Sequence, residues 1–151
     1  TRKESSAASD VYKRQEELLQ LMHDSKVDFT NLFRSLGMVK KNDDISSIAV
    51  RNEFINRDAF DQWLFQYLNR LRLEADDDVA RQLKMDAINP KFILRNHLAQ
   101  KAIEKAQRKD YSEIATLLKI LENPYQSQDG FEAYAMPPPP DLASIEVSCS
   151  S

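Results

Sequence analysis

The chain has 151 residues, 42% hydrophobic and 30% charged, with a net charge of −3. That composition suits a globular domain with its own core and gives no electrostatic reason to bind nucleic acid; no apolar run nears the roughly 18 residues that span a bilayer. Two glycines, Gly37 and Gly130, leave no room for a glycine-rich phosphate loop, and the single cysteine, Cys149, excludes an internal disulfide.

Residues 1–15, TRKESSAASDVYKRQ, have no clear periodicity and no initiator methionine. The string resembles translated sequencing adapter, so native sequence is expected to begin near Glu16 and the real protein to extend upstream. Leu18, Leu19, Leu21 and Met22 predict a short helix. Phe29, Leu32, Phe33 and Leu36 follow the i, i+3, i+4, i+7 spacing of one helical face, with Ser25 and Asp28 as a capping pair and Gly37 ending the helix. KKNDDISS is a polar connector. Asn56 is placed to cap the next helix, with Asp58 and Asp61 in the first turn, where the helix dipole favours acids. Its apolar stripe is Phe60, Trp63, Leu64, Tyr67, Leu68 and Leu71. A short helix around Val79, Ala80 and Leu83 is expected next.

Asn89 is read as a cap and Pro90 as the first residue of a further helix, with Leu94, Leu98 and Ala102 on one stripe and Ala99, Ile103 and Ala106 beside it. Asp110 and Glu113 read as a capping box for a helix with Ile114, Leu117, Leu118 and Leu121 on one face, stopped at Pro124. After Gly130 the chain is expected to be extended, with polyproline II at residues 137–140. No alternating run argues for a strand. The expected organisation is therefore all-α over residues 16–126, with an extended proline-rich tail over 127–151.

The chemistry-bearing residues are few. Asp76, Asp77 and Asp78 point about 100° apart on a helix, so they start a helix rather than converge on a cation, and Asp43–Asp44 reads the same way. His23 and His97 lack an i+4 partner for a zinc motif. Arg34, Arg70, Arg72 and Arg95 beside apolar stripes suit structural ion pairs better than phosphate. The PPPP run either docks in an aromatic groove of another protein or lies across its own domain. Cys149, third from the end, has no base held at a fixed distance and is the one redox candidate.

VDFTNLFRSLG (27–37), the stretch 85–125 with its NPKFILRN string, and the terminal PPPPDLASIEVSCSS resemble the C-terminal part of the selenoprotein O family, called YdiU or SelO in bacteria. The resemblance runs from about residue 16 to 151. It implies a protein-kinase-like (pseudokinase) fold for the parent and transfer of AMP, from ATP with Mg2+ or Mn2+, to hydroxyls of protein substrates. It implies that the catalytic, nucleotide-binding and metal-binding residues lie upstream, so none is assigned in this chain and no cofactor is expected on it. It implies a redox-active terminal thiol at Cys149, where some eukaryotic members carry selenocysteine. Its partners would be the missing kinase-like domain and the protein substrates, in the cytoplasm of a bacterium or the mitochondrion of a eukaryote. Without the resemblance, a helical interaction module with a proline-rich docking tail is the alternative. Helices cut from a catalytic domain would expose apolar stripes and make the purified chain prone to aggregate.

Overall fold

The computed structural model describes residues 2–143, and side chains from residue 8 onward. Among the described residues every regular element is helical. They are α1 (Arg2–Ser25), α2 (Phe29–Met38), α3 (Arg57–Arg72), α4 (Asp78–Ile88), α5 (Asn96–Gln107) and α6 (Ser112–Leu121), with short 3-10 turns at Ile45–Ser47, Ala49–Glu53 and Glu132–Ala135. The chain divides into two compact units, one up to Leu83 and one from Lys84 onward.

In the first unit, α1 packs along α3. The helix expected around Leu18–Met22 is much longer and passes residue 15 without a break. Leu18 and Met22 are buried, and the Trp63 indole N–H donates to the Arg14 carbonyl at 3.0 Å. Asp28 caps α2 by accepting from the Asn31 N–H at 3.0 Å, as its spacing predicts. Ser25 does not join it; its hydroxyl accepts from the Ile55 N–H.

Gly37 corrects the expected end of α2. It lies inside the helix and is buried, and α2 continues to Met38. The left-handed residues that end helices here are lysines, Lys26 (φ 53°) after α1 and Lys109 (φ 63°) after α5. At each, an N–H one residue further on closes back five residues, Val27 to Met22 at 3.0 Å and Asp110 to Lys105 at 2.9 Å. Lysine accepts the left-handed backbone at some cost because these bonds hold it there.

Asn56 caps α3 through the Ala59 N–H at 3.1 Å. Phe60, Trp63, Leu64, Leu68 and Leu71 are buried, and Tyr67 nearly so. Phe54 stacks on Phe60 with ring centroids 3.8 Å apart, and the stack continues through Trp63 to Tyr67. Asp61 serves a pair rather than the helix dipole, taking both Nε and a terminal nitrogen of Arg51. The polar connector KKNDDISS ends in a 3-10 turn, Ile45–Ser47, capped by Asp44 at 3.1 Å from the Ser46 N–H, and a second 3-10 turn, Ala49–Glu53, follows it.

The short helix expected around Val79, Ala80 and Leu83 is α4, and its first turns face inward with a charged residue. Val79 and Leu83 are exposed, while Arg81 is buried. Arg81 donates to the Val39 carbonyl and lies 3.5 Å from Asp78, whose carboxylate also accepts the Lys41 N–H at 3.0 Å. The Lys41 ammonium donates to the Glu74 carbonyl, and Arg72 returns a bond to the Lys41 carbonyl at 2.9 Å. A charged group takes the inward position because several backbone carbonyls there need donors that no alkyl side chain supplies.

In the second unit, α5 packs on α6. The helix expected from Pro90 starts six residues later, at Asn96. Residues 89–95 cross the end of α6 in irregular form, where the Pro124 carbonyl accepts the N–H groups of both Lys91 and Phe92, at 2.8 and 3.1 Å. The expected capping box on α6 does not form: the residue that caps the helix is Tyr111, one after Asp110, and it makes no side-chain cap bond. Asp110 accepts the Ser112 N–H at 3.0 Å, but Glu113 turns away to other partners. The inward face of α6 is Leu117 and Ile120, with Ile114 and Leu118 outside.

Candidate functional site

The NPKFILRN string, residues 89–96, builds an anchor for the chain that leads to the terminal tail. Phe92 is 1% exposed and forms a core with Ile120 and Ala135, and Leu121, Phe131 and Tyr134 pack against it. Three positions on, Arg95 is buried and donates to the Ala135 carbonyl at 3.2 Å. The string therefore grips the 3-10 turn Glu132–Ala135 by its apolar side and by its backbone. Gln128 adds a clasp by donating to the carbonyls of Ile120 and Asn123.

A polar knot completes the anchor. Glu113 accepts from Lys105 at 3.1 Å and from the Tyr134 hydroxyl at 3.1 Å, with Lys101 at 3.5 Å. Burial by itself would raise the Glu113 carboxyl. The bonds from Lys105 and Tyr134 and the two lysine charges outweigh it and hold the carboxyl below its ordinary range. Burial and the bond to Glu113 push the Tyr134 hydroxyl up.

Beyond the turn, the proline run lies across α5, the second of its two expected placements. His97, Lys101 and Glu104 of α5, with Met136, Pro137, Pro139 and Leu142, line a groove of about 490 Å³. Residues 137–139 form no helix or turn, and at Pro140 a turn begins, with the Leu142 N–H bonded to the Pro139 carbonyl at 2.9 Å. His97 Nδ1 is buried and meets no hydrogen-bonding partner among the described residues. Burial first, and the Arg95 charge second, lower the pKa of its imidazole.

Acid should loosen this anchor. Both folded-state pKa values are depressed, so each group contributes stability above its unfolded pKa and loses it as pH falls through the folded one. The thermal midpoint should drop below about pH 6.5 through His97 and again below about 4.3 through Glu113. Melting curves against pH check this. Glu113→Gln should flatten the lower stage, and a variant profile parallel to the wild type would show that the knot does not set the acid response.

The other sequence candidates are placed as follows. Cys149 lies outside the described residues. His23 is exposed, 3.6 Å from Asp24. Arg72 and Arg95 serve backbone carbonyls. Arg70 borders a groove with Lys13, Arg14, Asp10 and Glu17. Asp77 caps α4 through the Ala80 N–H at 2.7 Å, Asp78 holds Lys41 and Arg81, and Asp43 takes the Lys40 N–H. No group of three or more metal-ligating side chains occurs among the described residues, and the acidic run does not fit a cation site. No described helix is long and apolar enough to cross a membrane. Sequence patterns missed Lys41, Arg81 and Tyr134, none of which stands in a motif. Their partners are carbonyls and a carboxylate distant in sequence.

The family model described as protein adenylyltransferase SelO matches residues 3–122. The chain is 51% identical over 134 residues to the protein nucleotidyltransferase YdiU of Herminiimonas arsenicoxydans, covering 89% of this chain and 27% of that protein. Its identity is 49% to the YdiU protein of Burkholderia lata and 47% to that of Paraburkholderia xenovorans, with 89% of this chain and 26% of each relative covered. The chain spans about a quarter of the length of the curated relatives it matches. A family match across most of the sequence, with half of the aligned residues identical, makes this chain a member of the SelO family.

Proposed function

We propose that this chain is the helical C-terminal part of a protein adenylyltransferase, which moves AMP from ATP to Ser, Thr or Tyr hydroxyls of other proteins. The observation that carries the reading is the SelO match over residues 3–122 in a chain a quarter as long as relatives named protein nucleotidyltransferase. In the reaction a substrate oxygen bonds to the α-phosphorus, the bond to pyrophosphate breaks, and the hydroxyl proton passes to a base. On this reading the kinase-like fold, the nucleotide and the divalent metal belong to the upstream part. This part's share is to buttress the kinase-like lobe and to hold the root of a tail that presents Cys149 as a redox thiol. The site of action is the bacterial cytoplasm.

The test is AMP transfer by the full-length parent, with ATP labelled in its α-phosphate and Mg2+ or Mn2+. Label should appear in protein with the parent and not with this chain alone. Transfer of label from the γ-phosphate, or no transfer by the parent, overturns the reading.

On the same reading, residues 1–15 are a non-native leader. That proposal rests on the string itself. The family match from residue 3 and the unbroken run of α1 through the boundary stand against it. Genomic DNA upstream of the Glu16 codon tests it, and an upstream frame encoding the same fifteen residues refutes it.

A further inference from the structure

Helix α6 carries more apolar surface than its own unit covers. At about 100° per residue, Ile120, Leu117, Leu121, Ile114, Leu118 and Ala115 sweep an apolar arc of roughly 220°. A helix on a domain surface needs an apolar stripe of about 100°, and one apolar most of the way round is a buried helix. The unit buries only the Leu117–Ile120 side. The other side stands in solvent, with Leu118 62% exposed, Ile114 37%, and Tyr111 60% just before the helix. Packing within the unit does not explain these residues, because Phe92, Ala135 and α5 all meet the opposite side.

We propose that Tyr111, Ile114 and Leu118 form an internal interface, covered in the parent by the polypeptide upstream of this chain. The inference rests on the proposed reading of the chain as a C-terminal part and names the surface through which it buttresses the rest. The occupant follows from length. Relatives are about four times as long as the aligned stretch, so roughly three quarters of the parent is upstream or flanking polypeptide able to seat on the stripe. A covered face of Leu, Ile and Tyr with charges only at its edge suits a permanent interface within one protein.

The experiment places Leu118→Cys in a Cys149→Ser background, with Ser112→Cys, exposed and about 120° round the helix from Leu118, as the control, both in this chain and in the full-length parent. Maleimide labelling of the thiol introduced at position 118 should be roughly tenfold or more slower in the parent than in this chain, while the control thiol at position 112 labels equally in both. Equal rates at position 118 in the two proteins overturn the interface. Slow labelling in this chain alone, growing with concentration, assigns the stripe to a second copy and also overturns it. Slow labelling relieved by ending the chain at residue 143 assigns the stripe to the tail and overturns the proposal as well. Protection at position 118 in a parent that transfers no AMP overturns the activity and leaves the interface standing. A gene with no upstream frame overturns both.

Discussion

Phe92→Ala should cost about 3–5 kcal/mol and unfold most of the second unit at ambient temperature. Phe92 is the center of that unit's core, in contact with Ile120 and Ala135, and almost no solvent reaches its ring. Truncation removes the transfer free energy of the ring and leaves a cavity that Leu121, Phe131 and Tyr134 fill only in part. A domain of this size has on the order of 5 kcal/mol to lose. Hydrogen exchange should show the amides of residues 91–135 losing protection together, including the Phe92 N–H held by Pro124. Phe92→Leu should cost less than about half as much, since most of the volume stays. A Phe92→Ala loss under about 1 kcal/mol would mean that the core lies elsewhere. The tail should feel the change directly, because Ala135, where Arg95 also holds the backbone, is part of the same core.

Arg81→Ala should cost about 2–4 kcal/mol in the first unit, more than a typical salt bridge at a surface. The guanidinium is buried and donates to the Val39 carbonyl, so its loss leaves an acceptor without its donor and a void where the side chain ran. Asp78 is partly exposed and keeps the Lys41 N–H, so its share of the loss is small. Arg81→Met should recover part of the loss by filling the volume, and Arg81→Lys should recover part by supplying one donor. Urea unfolding of the three variants separates packing from hydrogen bonding. A methionine variant as stable as the wild type would show that Arg81 merely fills space, and an alanine variant as stable as the wild type would show that neither its volume nor its hydrogen bond holds the unit. The sequence offers no sign of this role: Arg81 sits between Ala80 and Gln82 in a helix whose apolar residues Val79 and Leu83 point outward.

The helices and several of their ends were legible because they depend on neighbours in sequence. Asp28 and Asn56 cap helices three residues on, and the stripe from Phe60 to Leu71 needs only the helical repeat to share a face. The errors follow one pattern. Gly37 looked like a terminator and is a buried helical residue, while Lys26 and Lys109 terminate, since the hydrogen bonds that close a helix end tolerate a side chain at some cost in strain. Pro90 looked like a helix start, but Lys91 and Phe92 find their acceptor at Pro124, more than thirty residues on, and stay irregular. Glu113 looked like half of a capping box and was drawn instead to Lys105 and Tyr134.

The family string 89–96 marks the same boundary between what sequence and structure each reveal. In sequence, NPKFILRN identifies the family without saying what its residues do. In the folded chain Phe92 and Arg95 grip the root of the tail, because the 3-10 turn at Glu132–Ala135 comes back onto them across forty residues. Sequence by itself determined the helical class, two of the main caps, one core stripe and the family. Which side of α4 and α6 faces inward, and what the buried arginines hold, was decided by tertiary structure. Amphipathic pattern shows that a face is apolar, but only the packed chain shows whether that face is already covered.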